Sequence, residues 1–235
     1  MKKFICILTV SLLLIATALS AAACAKTPEE TPAEIIARWE TTYSAGDFGI
    51  RSKTNPFVEF TLSTDETIRI ELYPNVAPIS VNNFITYVEE GFYEGTAFHR
   101  IIQNQMIQGG GYEIDKDDHY VHKAATHDAI KGEFRNNGIP NNLSHTRGVI
   151  SMARTNEKDS ATSQFFICAA TVSSWDGEYA AFGRVIDKES MAVVSRLEKI
   201  STGSEALYDG ERGSTAANVP VSRITIKKAQ LVWDK

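Results

Sequence analysis

Cysteine is scarce in this chain of 235 residues, with Cys6, Cys24 and Cys168 alone, so a disulfide-stapled scaffold is excluded. Basic clusters are missing as well. The net charge is −5, and no Lys/Arg cluster occurs beyond the extreme N-terminus. That excludes a nucleic-acid-binding face and argues against strong attraction to an anionic membrane surface. No segment repeats at a fixed period. Nucleophile motifs are also lacking: in "TAFHRIIQNQMIQGGG", Thr96 to Gly111, no Ser or Cys stands beside His99. A hydrolase working through His99 therefore has little to work with.

What is present begins with a leader. Lys2 and Lys3 precede the uncharged run "FICILTVSLLLIATALSAAA", which ends in small residues as export signals do. Cys24 follows, and "SAAAC" reads as a bacterial lipobox in which the Cys24 thiol is diacylated and the signal, residues 1–23, is removed. Ala21 departs from that pattern, where an aliphatic residue is usual. Ordinary cleavage after Ala23 and a retained membrane anchor are the alternatives. Lipidation would leave Cys168, in the apolar "QFFICAA", as a small buried hydrophobe. Residues 24–55 read as a lipid-anchored linker. "AKTPEETPAE" is rich in Pro and Glu, and Ile35, Ile36, Trp39 and Tyr43 carry a short helical spacing.

A folded domain is expected over 56–235. "FVEFTL" and "TIRIELY" alternate apolar and polar residues around "STDE", the pattern of a β-hairpin. Pro78 marks a helix start, Val81, Phe84, Ile85 and Val88 recur at helical spacing, and Gly91 is the stop. "AFHRII", "MIQGG", "GVISMA", "QFFICA" and "AAFGRVI" read as short strands, "KESMAVVSRLEKI" as a second amphipathic helix and "RITIKKAQLVW" as a closing strand. Many short strands with two helices predict a mainly β fold, an antiparallel barrel or sandwich with helical caps. His119, His122 and His127 fall in "DDHYVHKAATHDAIKGEF" at spacings unlike a zinc site and without a thiol, so a solvated loop is expected there and no metal.

"FHRII…MIQGGG", "HTRGVISMARTNEKDSATSQFFIC" and "AAFGRVI", preceded by "ELYPNVAPISVNNFITYVEEGFYEGTAFHR", resemble the signature blocks of the cyclophilin family of peptidyl-prolyl cis-trans isomerases, from about Phe57 to Trp233. "MARTNEKDSATSQFF" is similar to bacterial members. The resemblance implies an eight-stranded antiparallel β-barrel capped by two α-helices, with the active site on the outer barrel face. It implies isomerisation of X–Pro bonds in polypeptide clients, no cofactor and a monomer; the leader and lipobox add that the clients are exported proteins and that the location is lipid-anchored, facing away from the cytoplasm.

Carried over residue by residue, Arg100 matches the catalytic arginine, and Gln108 the glutamine that holds it and the substrate backbone. Met106 and Phe166 match proline-pocket residues, and Ala153 and Arg154 the strand that pairs with bound peptide. His99, whose family role is mainly structural, joins Gln105, Gln164, Trp175 and Tyr179 as substrate-binding candidates. By alternation Phe165 should face the core instead. Three positions depart from the family. Gln105 stands where a pocket phenylalanine is usual. Ser174 stands where many eukaryotic members carry a tryptophan important for cyclosporin binding, with Trp175 one position later matching a pocket leucine. Tyr179 replaces a frequent histidine. Gln105 keeps open a second reading, a proline-peptide-binding chaperone module with little isomerase activity.

Overall fold

Alternation builds the first hairpin. In β1 (Phe57–Leu62) and β2 (Thr67–Leu72), Phe60, Leu62, Ile68, Ile70 and Leu72 turn into the core while Glu59, Thr61, Arg69 and Glu71 stay partly exposed. The computed structural model describes residues 55–232. The leader, Cys24 and the linker through residue 54 therefore lie outside the described residues.

After the hairpin comes α1 (Pro78–Glu89), opened by Pro78 and followed by Gly91 at φ +69°. Then follow β3 (Arg100–Ile102), β4 (Met106–Gly109), β5 (Tyr112–Ile114), β6 (Tyr120–His122), β7 (Val149–Met152), β8 (Phe165–Cys168) and β9 (Ala181–Val185). Helix α2 (Lys188–Leu197) precedes β10 (Thr202–Asp209), β11 (Arg212–Pro220) and β12 (Ile226–Val232). Asp187 caps α2 through a 2.6 Å bond from the Ser190 amide.

The main sheet has eight strands in the order β12-β1-β2-β9-β7-β8-β4-β3, antiparallel at every step. It curls until its ends meet. The Phe98 amide donates to Ile224 O at 3.0 Å, and the Ile226 amide to Thr96 O at 2.8 Å, so the segments leading into β3 and β12 bridge the seam. Inside, Phe84 of α1 packs against Phe165, Phe182 and Tyr93 at centroid distances of 5.6, 5.1 and 5.2 Å. Helix α1 thus plugs one end of the barrel through Val81, Phe84, Ile85 and Val88, the positions its spacing marks.

Two features correct the sequence reading. The segment around the three histidines is not simply a solvated loop. Tyr120–His122 forms β6, which joins β5, β10 and β11 in a second, four-stranded sheet. Tyr120 is buried there beneath the Arg223 guanidinium, 4.4 Å from its ring centroid. Further along, Glu133 is buried, and its carboxylate accepts from the Ile79 amide (3.1 Å), the Ser80 amide (2.7 Å) and the Ser80 hydroxyl (2.7 Å). Ala77 at the N-cap offers no side-chain acceptor, so a loop distant in sequence caps α1. The three histidines each meet a different carboxylate: His119 meets Asp115, His122 meets Asp209 and His127 meets Glu90.

Candidate active site

Strand register assembles the site. On β3 and β4, Arg100 lies directly opposite Gln108; on β4 and β8, Gln108 lies opposite Phe166; on β8 and β7, Phe166 lies opposite Ser151. One row across four strands therefore presents Arg100, Gln108, Phe166 and Ser151 on the outer face, because side chains at paired positions share a side. Their neighbours Ile101, Ile107, Phe165 and Ile167 point into the barrel core. Phe165 is a core residue, as alternation predicts.

The outer row borders a cavity of about 100 Å³ lined by Arg100, Met106, Gln108, Ala153, Arg154, Phe166, Trp175 and Tyr179. Its floor is apolar: Met106, Val149, Phe166, Cys168 and Ala181 form a second cluster outside the barrel. Trp175 and Tyr179 stand edge-on to Phe166 at 5.1 and 5.4 Å. Ser174 is exposed, and the wall is built from Trp175. The Arg154 guanidinium lies between the Phe134 and Tyr179 rings, 5.0 and 4.9 Å from their centroids. It also donates twice to Glu178 O, which holds the Tyr179 loop to the end of β7. A larger cavity of about 630 Å³, lined by Glu71, Tyr73, Arg147, Arg184 and Lys188 among others, shares none of these residues.

At the rim the polar groups form a relay. Arg100 Nη1 donates to Gln108 Oε1 at 3.2 Å, and Gln108 Nε2 donates to Gln164 Oε1 at 3.0 Å. A guanidinium only donates, so the Gln108 oxygen must face Arg100, leaving its nitrogen for Gln164. The glycines of "QGGG" make room for this. A Cβ on Gly111 would sit 2.4 Å from Gln164 Cγ, and Gly110 holds φ +82° with Ser163 O close by. Arg100 itself is exposed at the cavity mouth, free to reach a ligand while Gln108 orients it.

Two expected substrate-binding residues fall elsewhere. Gln105 does not enter the cavity wall. A turn with Asn104 at φ +59° leaves its side chain exposed, its amide bonded to Ile102 O and its carbonyl to the Ala169 amide. His99 is buried behind the row, with its ring 4.6 Å from that of Tyr112 and Nδ1 without a partner among the described residues. Gln164 reaches the site through Gln108. Cys168 is buried, and burial pushes its thiol up to about 12, which leaves no thiolate for chemistry.

Burial brings the His99 imidazole down to about 4, with the Arg100 charge adding to the effect. As pH falls below the ordinary 6.5, the unfolded chain takes up a proton that the folded chain refuses. The stability is complete above 6.5 and drains away towards 4, by up to about 3 kcal/mol. Denaturant titrations at pH 7 and 4.5 should show this loss in the wild type and a smaller one in His99→Gln. Equal losses in both would remove His99 as the cause.

Residues 57–231 match the family model described as cyclophilin type peptidyl-prolyl cis-trans isomerase/CLD. A peptidyl-prolyl cis-trans isomerase of Acinetobacter baylyi is 42% identical over 169 residues, spanning 70% of this chain and 79% of its own length. Peptidyl-prolyl cis-trans isomerase A of Dickeya dadantii is 40% identical over 170 residues, with the same coverage of 70% and 79%. Among solved structures, a cyclophilin-type isomerase of Cryptosporidium parvum superposes with a TM-score of 0.57 over 77% of this chain and 99% of its own, at 23% identity, a likeness of fold. The chain belongs to the cyclophilin-type peptidyl-prolyl cis-trans isomerase family.

Proposed function

We propose that this chain isomerises X–Pro bonds with Arg100 as the catalytic residue and Gln108 as the group that holds it. The row Arg100–Gln108–Phe166 beside an apolar cavity carries the reading. Prolyl isomerisation breaks no covalent bond, so a site without a nucleophile suits it. The barrier is amide resonance, ~18–20 kcal/mol. Twisting the C–N bond localises a lone pair on the prolyl nitrogen. A donor aimed there stabilises the twisted state more than either planar one. Arginine stays charged throughout, and one arm of its fork is already held by Gln108. Met106, Phe166 and Trp175 offer an apolar seat for the proline ring, and Ala153 and Arg154 the flank along which the peptide backbone lies. No cofactor is required. Accelerated cis–trans exchange of a proline peptide, lost on replacing Arg100, is the experiment that tests this.

The location belongs to the same proposal. The leader and lipobox support export, acylation at Cys24 and exported proteins as clients, with the chain acting as a monomer. Labelled fatty acid should enter the wild type and the protein should fractionate with membranes. Cys24→Ser should lose both. Unlabelled, soluble wild-type protein would overturn the anchor and leave the isomerase reading intact.

A further inference from the structure

The row of outer-face residues does not stop at Phe166. Ser151, opposite it, is fully buried, and its Oγ lies 3.1 Å from Nε2 of the buried His145. The other ring nitrogen, Nδ1, lies 3.0 Å from Asp176 Oδ1, and the His145 backbone amide donates to that same oxygen at 2.6 Å. With an acceptor-only carboxylate on one side, the neutral ring carries its proton on Nδ1. Nε2 then accepts from the Ser151 hydroxyl. Burial lowers the imidazole's affinity for a second proton, consistent with the neutral form.

The order Ser–His–Asp invites a hydrolase reading, and burial refuses it. Ser151 has no exposed surface and is not among the residues that line the cavity. A nucleophile must reach its substrate; this hydroxyl does not.

What the three residues do touch is the cavity wall. The His145 ring stacks behind Phe166, with centroids 6.0 Å apart and planes 18° from parallel. It stands edge-on to Trp175 at 6.3 Å and Tyr179 at 6.4 Å. Asp176 directly follows Trp175 in the short 3₁₀ turn Ser173–Trp175. Phe166, Trp175 and Tyr179, three of the residues that line the cavity, thus rest on one imidazole, tied at one end to the turn and at the other to β7.

We infer that His145 is a positioning residue for the isomerase site, held between Asp176 and Ser151 so that Phe166, Trp175 and Tyr179 keep the shape of the proline cavity. The inference rests on the reading of that cavity as the substrate site. It separates two parts of the machinery. Arg100 acts on the twisting bond, whereas the Asp176–His145–Ser151 chain acts on the seat of the ring. Loosening the chain should therefore weaken binding of the peptide with little change in turnover.

The test compares kcat and KM for an X–Pro peptide across variants of the full chain in detergent, each checked for folding by circular dichroism. Asp176→Ala removes the acceptor of both His145 donors. It should raise KM by at least about fivefold, with kcat within about twofold of wild type. Asp176→Asn keeps an oxygen at the same place and should restore most of the KM. A role in stability alone would lower the active fraction and so kcat, with KM unchanged; that outcome, or an Asp176→Asn no better than Asp176→Ala, overturns the proposal. Should Asp176→Ala fail to fold, Ser151→Ala, which removes only the far bond, decides by the same criterion. Arg100→Ala run alongside distinguishes the two failures. If it too leaves kcat untouched, the site reading has failed; if it lowers kcat while Asp176→Ala keeps the wild-type KM, only the positioning role has failed.

Discussion

Arg100→Ala should cost this enzyme at least about tenfold in kcat/KM, about 1.4 kcal/mol or more of transition-state stabilisation, with most of the loss in kcat. The Arg100 guanidinium is exposed at the cavity mouth, with Gln108 holding one arm of its fork. In planar cis and trans amides the prolyl nitrogen's lone pair is delocalised into the carbonyl and accepts poorly, so the contribution of the guanidinium appears mainly as the bond twists. Met106, Phe166 and Trp175 remain in the variant, so KM should move little. Arg100→Lys should not rescue fully, since an ammonium cannot donate to Gln108 and the substrate along a planar fork. Stopped-flow peptide assays at several substrate concentrations make the measurement. A kcat unchanged in folded Arg100→Ala would remove the arginine from the mechanism.

Glu133→Ala should be strongly destabilising although it lies away from the site. It leaves two amides at the start of α1 and the Ser80 hydroxyl without their acceptor, the Ser80 pair buried and the Ile79 amide partly so. Bonds to a charged acceptor are individually worth more than neutral ones, and orphaned buried donors carry the desolvation cost in full. The carboxylate also sits at the positive end of the helix dipole. Together these set a loss of about 3 kcal/mol, which for a domain of this size is about 6–12 °C in Tm. Glu133→Gln should lose less, because its amide oxygen still accepts, although its NH₂ faces donors. Calorimetry on the three proteins tests this, and an Ala variant melting within a degree or two of wild type, about 0.5 kcal/mol, would show that the helix start finds another cap.

Legibility in the sequence followed locality. The hairpin β1–β2 and the apolar stripe of α1 repeat at periods of two and of three to four, so Phe60, Ile70, Phe84 and Val88 were readable as core from spacing. The same alternation separated Phe165 from Phe166, core from cavity. The second sheet was not readable. "TGSEALYD" and "RGSTAANVP" carry no apolar alternation, and β6 finds β10 only through a parallel pairing across about half of the described domain. Glu133 was opaque for a related reason: a lone acid in a polar segment gives no sign that it caps a helix far up the chain. Within the site, residue types at Arg100, Gln108, Met106 and Phe166 were recognisable by resemblance. The position of Gln105 was not, because the left-handed Asn104 that turns it outward has no signature beyond an Asn among polar neighbours. His145, Ser151 and Asp176 come together only through tertiary contacts, and nothing in their spacing announces the chain they form.

The most direct measurement of the central claim is exchange NMR on an X–Pro peptide with a catalytic quantity of the wild-type chain. Uncatalysed exchange takes tens of seconds or longer, so the free peptide shows no cis–trans cross-peaks at mixing times of about a tenth of a second. The account predicts cross-peaks once the protein is added, with chelator present, and their disappearance when Arg100→Ala replaces the wild type. Peptide that binds in the cavity, seen by shifts at Phe166 and Trp175, yet exchanges no faster than in free solution would contradict it and leave a proline-binding module in its place.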